Sequence, residues 1–405
     1  MSTVPKTSIT SEKVSKQFIH FPDENHKPAL RTTRLALCLF FFSYGLCFSS
    51  WASRIPDIKN ALNLSDGELG SILLLLPAGQ LVAMPFSGRL VGKYGSNKTI
   101  VIGILLYALS LVNIGMISFS WQLCISLFVF GVFGNFANIS ANTQAIGVEK
   151  MIGKPIMISF HGLWSVAGFT GAMIGIFMMS RNQSLVVHFA TVAAIVFCLI
   201  FIGRPYLVKG KSELKQGKKS LFSKPDMELL KLGLIGFCSM ASEGAMFDWS
   251  GVYFQKVVNA PAELIVLGYA AFMSTMAGGR FVGDSLIKKI GRKKMLQLSG
   301  VLIALGLGIS IAVPTIVFAT IGFLIVGFGV SSVVPTVYSS AGKAQNISPS
   351  MALAAVSSIS FLGFLLGPPL IGYIAEASSL RVSFAAIAIL GFSTTLLVSR
   401  AKLIK

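Results

Sequence analysis

The chain has 405 residues, of which 54% are hydrophobic and only 12% charged, about half the share of charge usual in a soluble domain, so an ordinary soluble globule is excluded. A net charge of +19 would suggest a nucleic-acid partner in a soluble protein. Here the basic residues lie almost wholly between apolar stretches, with no aromatic-interleaved basic stripe, and no nucleic acid is expected.

Residues 1–33 are polar, carry Pro5, Pro22 and Pro28, and lack the apolar stretch of a cleaved secretory signal; they read as a cytoplasmic amino-terminal tail. The apolar stretches that follow are long enough, at about 1.5 Å per residue, to cross a hydrocarbon core roughly 30 Å thick. The first six spans are predicted at Leu35–Ser53, Leu69–Val91, Ile100–Phe119, Trp121–Gly147, Ile156–Ser180 and Leu185–Gly203. Trp51, near the outer end of the first, would either stack on a ligand ring or anchor at the membrane interface. Gln80 in the second is a weaker cavity candidate. Asn135, Asn138 and Asn142 in the fourth fall at i, i+3 and i+7, one helical face. Amides both donate and accept, as a polyhydroxylated ligand requires; the other reading is interhelical hydrogen bonding. Glu149 ends this span, and His161 and Trp164 lie one turn apart near the start of the fifth, where a histidine serves as a gate or packing residue more readily than as a proton relay.

The segment 204–228 is the longest polar interruption and reads as a cytoplasmic basic linker between halves 34–203 and 229–400, its lysines able to meet anionic membrane lipid. Six further spans are predicted at Leu229–Tyr253, Leu264–Ile287, Met295–Val313, Thr315–Ser340, Ala352–Ala375 and Val382–Ser399. An ionisable side chain deep in a span costs roughly 2.5–3.5 kcal/mol on insertion scales and faces a cavity or a partner. Glu243, midway along the seventh span, is therefore the leading candidate for proton coupling or solute binding, against a purely structural pair. Asp248, about 140° further round, serves proton coupling, solute binding or an outer gate with Trp249. Trp249 carries the same two readings as Trp51, and Tyr338 in the tenth span is a further cavity candidate. Arg280 and Asp284, one turn apart at the inner end of the eighth span, are expected to pair along the helix and close an inner gate, with Glu149 making similar contacts. Pro77, Pro85, Pro335, Pro368 and Pro369 fall inside spans, where membrane helices bend.

Lys and Arg collect in the tails and even-numbered loops, whereas the odd-numbered loops and span ends hold only Arg54, Lys59, Arg181, Lys256 and Arg381. Both termini are therefore expected inside, in the cytoplasmic (inner) membrane. Landmarks recur at one offset: Gly95 and Gly291, Gly131 and Gly327, and Gly171 and Gly367 are each 196 residues apart, and Trp51 and Trp249 are 198 apart. A parallel repeat of two six-helix bundles follows, with a solute site at their interface.

The loop GRLVGKYGSNK (Gly88 to Lys98) resembles the cytoplasmic signature of the major facilitator superfamily, with Lys93, Gly95 and Lys98 in place and Gly92 where the family has an acid. GRFVGDSLIKKIGRKK (Gly279 to Lys294) is a looser match that supplies Arg280, Asp284, Lys289, Gly291, Arg292 and Lys293. SSWASRIPDIKNALNLSDGELG, NISANTQAIGVEK running into FHGLWS, and EGAMFDWSGVY look like the bacterial YbjJ-type branch, related to fucose permease and similar sugar proton symporters; that branch commonly has an acid where this chain has Asn138. The resemblance covers residues 34 to 400. It implies the all-α, twelve-span major facilitator fold, a cavity lined by spans one, four, seven and ten, gating roles for Lys93, Gly95 and Arg292, and proton-linked carriage of a small polar solute. A multidrug or metabolite exporter of the same fold is the runner-up, and a ligand sensor or intramembrane enzyme the reading from another class. No P-loop, CxxC pair or histidine cluster is present, so no cofactor, metal or ATP-driven step is expected.

Overall fold

In the computed structural model the described residues are 27–153, 156–209, 227–341 and 349–404. They form fifteen α-helices. Those of the first half are α1 (Lys27–Ser53), α2 (Ile55–Ala61), α3 (Asp66–Leu73), α4 (Leu75–Tyr94), α5 (Ser96–Gly115), α6 (Ser120–Ile152), α7 (Met157–Ser180) and α8 (Leu185–Gly203). The second half contains α9 (Met227–Lys256), α10 (Leu267–Ile290), α11 (Arg292–Ala312), α12 (Ile316–Val330), α13 (Val333–Ala341), α14 (Pro349–Ala377) and α15 (Leu380–Arg400). Among the described residues, twelve helical stretches are long and apolar enough to span a membrane, as the hydrophobic runs predict.

Two spans are broken, three or four residues before a proline that cannot donate to the preceding turn. The second breaks at Leu74, ahead of Pro77, into α3 and α4; the tenth turns at Ser331 and Ser332, ahead of Pro335, into α12 and α13. The first loop contains α2, too short to register as a hydrophobic period. Helix α1 also begins at Lys27, inside the expected tail, whose first 26 residues lie outside the described ones, as do 210–226 of the linker.

Packing repeats between the halves. In the first, α4 lies on α6, α1 on α7 and α8, and α5 on α6 and α8; in the second, α10 lies on α12, α9 on α14 and α15, and α11 on α12 and α15. The repeat extends to single atoms. A Cβ on Gly131 of α6 would collide with the Leu76 carbonyl, and one on Gly327 of α12 with the Phe272 carbonyl, both glycine and partner being displaced by 196 residues. Such close approach is how membrane helices gain packing without a hydrophobic driving force between them.

Gly95 and Gly291 each end one helix and start the next, at φ 87°, ψ 147° and φ 85°, ψ 156°. That region is open essentially to glycine alone. Ala at either position is expected to cost about 1–3 kcal/mol of stability, with matched losses at the two sites in thermal unfolding of the purified protein. Unequal losses would mean that the two loops are not equivalent.

The halves meet along two seams, α7 against α10 and α3 against α14. Only the distal part of the second span takes part in the latter, so contact between the halves is concentrated toward the face away from the termini. We call this the far face.

Candidate functional site

The centre of the interface is built on Arg280. The sequence suggests an inner gate with Asp284, but Arg280 stands ten residues before the end of α10 at Ile290, about 15 Å into the helix, where a lone cation would be costly. It pairs with an acid of the neighbouring helix: Arg280 Nη2 lies 3.4 Å from Glu243 Oε1 on α9, with the two side chains 16% and 10% exposed. Its Nη1 donates across the seam to Ser165 Oγ of α7 at 2.5 Å and to the His161 carbonyl at 3.4 Å. The guanidinium stacks over Trp164 at 5.8 Å. Arg280 thus belongs to the second half by chain and to the first by most of its contacts. The Asp284 side chain lies outside the described residues.

One turn beyond Glu243 toward the far face, Phe247 closes the interface. Its ring centroid lies 5.2 Å from Phe48 of α1, 5.9 Å from Trp164 of α7, 5.6 Å from Phe272 of α10 and 5.8 Å from Phe364 of α14. Aromatic side chains from both halves therefore form a plug in edge-to-face and tilted contacts. With 31 phenylalanines in the chain, composition could not single this one out. Toward the termini face the packing is looser: His161 is exposed although its backbone holds Arg280, and its ring packs on Phe41 at 5.7 Å.

Beyond the plug, Trp51 and Trp249 are each 0% exposed. Neither is a lipid-interface anchor, and neither presents a free face to a ligand; spans one and seven turn both rings into the packed far end. Asp248 is half-buried, near enough to Tyr269 to interact electrostatically, and has no hydrogen bond or ion pair among the described residues. Tyr338 of α13 lies within electrostatic reach of Glu243, so these two candidates come together.

The three amides do not act as one face. Asn135 Oδ1 accepts from Ser87 Oγ of α4 at 2.6 Å, the interhelical reading, while Asn142 Nδ2 donates to Asn138 Oδ1 at 2.7 Å. Only the latter pair stays half-exposed. Glu149 makes no contact with the other half among the described residues in this arrangement. Its Oε2 accepts from the Ile156 and Met157 amides at 2.8 and 3.0 Å, capping the start of α7, because those amides have no partner within the helix. Lys93 stacks on its neighbour Tyr94, and neither it nor Arg292 reaches the other half among the described residues.

The far face carries a lock that the sequence pattern did not reveal. Asp66, which opens α3, accepts from Lys256 at the end of α9 at 2.9 Å and from Lys59 of α2 at 3.2 Å. Lys59 Nζ also donates to the Leu64 carbonyl, and burial pulls its ammonium down against the opposing pull of Asp66. Glu376 Oε2 accepts from the Gly67 amide at 3.1 Å, and Ser71 meets Tyr373 at 2.7 Å. Helices α3 and α14 approach so closely that a Cβ on Gly70 would lie 3.0 Å from the Gly372 Cα. A groove of about 570 Å³ beside this lock, lined by Trp121, Tyr373 and Glu376 among others, faces outward and lies away from the Arg280 site. Asp66→Asn removes the negative charge shared by both lysines and leaves them a neutral acceptor. Such a bond is worth about 1–2 kcal/mol with the exposed Lys256 discounted, so a reporter cysteine at buried Leu69 should label about tenfold faster with an impermeant maleimide. An unchanged rate would show that the aromatic plug alone holds this face.

The sequence pattern of the Major Facilitator Superfamily matches residues 36–346. Over 361 residues the chain is 34% identical to an uncharacterized MFS-type transporter of Yersinia pestis, covering 89% of this chain and 92% of that one. In fold it is similar to a point variant of the nucleoside transporter NupG, with a TM-score of 0.75, 12% identity, and coverage of 91% and 100%. It is also similar to the D-xylose-proton symporter, with a TM-score of 0.70, 14% identity, and coverage of 92% and 97%.

Proposed function

Because the chain belongs to the Major Facilitator Superfamily, and is thus a multi-pass membrane transporter and not an enzyme, we propose that it is a secondary carrier moving a small polar solute, a sugar or sugar-like metabolite, by alternating access coupled to protons. The observation that carries this reading is the Glu243–Arg280 pair on the seam between the halves, one partner of which also bonds to the opposite half. An exchangeable acid tied to a residue that links two bodies can couple protonation to their relative motion. Halves 34–203 and 229–400 rock about this point. The plug at Phe247 and the lock at Asp66 close the far face, while solute enters from the termini face past His161, with Asn138, Asn142 and Tyr338 as polar lining.

The bias of Lys and Arg toward the termini face supports a cytoplasmic location for that face and an inner-membrane location for the protein. The nucleoside transporter and the D-xylose-proton symporter, to which the chain is similar in fold, likewise carry polar solutes. The exporter reading draws on the rings of Phe48, Trp164 and Phe247, which suit a lipophilic guest. Arg280 opposes it where that guest is a cation, since a fixed positive charge in a part-buried site repels one.

The test is uptake by proteoliposomes under an imposed pH gradient, using a labelled panel of sugars, sugar derivatives and lipophilic cations. Accumulation of a polar solute that collapses with the gradient supports the reading. Binding without flux would make the protein a sensor, and uptake confined to lipophilic cations would favour the exporter.

A further inference from the structure

The way Arg280 is held says more about what it is waiting for. A guanidinium carries five donors in a planar fork matched to a carboxylate, and well-made contacts of this type run about 2.7–2.9 Å. Here Glu243 offers one oxygen at 3.4 Å, and the rest of the fork is met by a hydroxyl and a carbonyl of α7. Trp164 supports the plane of the group from one side. The cation is fixed in place by the first half, yet its fork is not filled by the second.

We infer that Arg280 is the binding residue for a carboxylate on the transported solute, which is a sugar acid or similar polyhydroxylated monocarboxylate that displaces Glu243 from the guanidinium. This rests on the carrier reading above and names the class of solute for that same site.

Charge balance supplies the reason. With Glu243 ionised the pair is neutral, and an incoming anion would leave a net negative charge in a site largely shut off from water. With Glu243 protonated, Arg280 is an uncompensated cation and the anion restores neutrality. Proton and solute therefore enter together, and loss of the proton returns Glu243 to Arg280 and expels the solute. Among titratable groups on the helices packed against α9, Arg280 of α10 and Tyr338 of α13 act on Glu243, while His161 of α7, which packs on α10 across the seam, acts on Arg280. Only one of these is a fixed cation, so the site matches a single negative charge and would leave a phosphate dianion half compensated. The half-buried ring of Trp164 offers the apolar face of a sugar a surface to lie on.

The experiment uses the full chain in detergent and measures the midpoint concentration for thermal stabilisation by D-gluconate and D-galacturonate against their uncharged counterparts D-glucitol and D-galactose. At least one acid is expected to act at tenfold lower concentration than its neutral partner, and more strongly at the acid end of the protein's stable pH range than at the alkaline end, where ionised Glu243 holds the site closed. In Glu243→Gln the same acid should bind at its tight limit with no pH dependence. Arg280→Lys, which keeps the charge but loses the fork, should weaken it at least tenfold. If that variant does not fold, Ser165→Ala, which removes one of the groups orienting Arg280, should weaken the acid and leave any neutral sugar unaffected. Neutral counterparts that bind as well as the acids, no binding by either acid, or acid binding indifferent to both variants would overturn the inference. A neutral sugar then carried with protons would leave the polar-solute carrier standing. Acid binding as predicted, with no flux in proteoliposomes, would support the solute class and sink the carrier.

Discussion

Glu243→Gln is expected to abolish accumulation of the solute against its gradient while leaving exchange of internal for external solute intact. Glutamine keeps the size of the side chain and an oxygen that can accept from Arg280, so packing against α10 and α14 changes little. What it removes is the exchangeable proton. A carrier without its coupling group still rocks with solute bound, because exchange requires only the loaded form to change sides. Net uphill movement requires the empty form to return, and that step depends on the charge at Glu243. The readout is the ratio of energised uptake to counterflow in the same vesicles. Wild type should show both, the variant only the second, and loss of both together would mean that Glu243 is structural.

Removing Arg280 has the largest expected effect on stability. Arg280→Gln leaves a carboxylate almost enclosed by protein with no cation to meet it, and breaking a buried pair from one side costs about 3–5 kcal/mol. It also cuts the bonds to Ser165 and the His161 carbonyl, so the seam between α7 and α10 loosens at the same stroke. Most of the loss should be recovered by adding Glu243→Gln, since two amides carry no charge to desolvate. Thermal unfolding of the two single variants and the double variant measures this directly. Recovery of half or more identifies the unpaired charge as the main cost; none would place it in the bonds to α7.

These two residues also show how far the chain could be read before its fold was seen. Glu243 was legible because an acid midway along an apolar run has few innocent explanations. Arg280 was legible as a charge but not as a partner: its contacts lie 37 and 115 residues away, on helices that the hydrophobic pattern locates without arranging. The twelve spans and the repeat at 196 residues were readable because hydrophobic length and glycine spacing are local signals, and both reappear in the paired packing of Gly131 on Leu76 and Gly327 on Phe272. The breaks at Leu74 and Ser331 were signalled by Pro77 and Pro335 four or fewer residues on. The lock of Asp66 on Lys256 was not readable, because it joins positions 190 residues apart. The amide face of Asn135, Asn138 and Asn142 was correct as helical geometry, yet geometry does not say which side of a helix meets its neighbour, and Ser87 claims Asn135.

The most direct measurement is solute-driven proton movement. Proteoliposomes holding a trapped pH indicator, with no ion gradient imposed, receive solute on one side only. The internal pH is predicted to fall as solute enters down its gradient, and the signal should vanish in Glu243→Gln, whose counterflow stays intact. Solute entry in the wild type with no change in internal pH would contradict proton coupling at the Glu243–Arg280 pair.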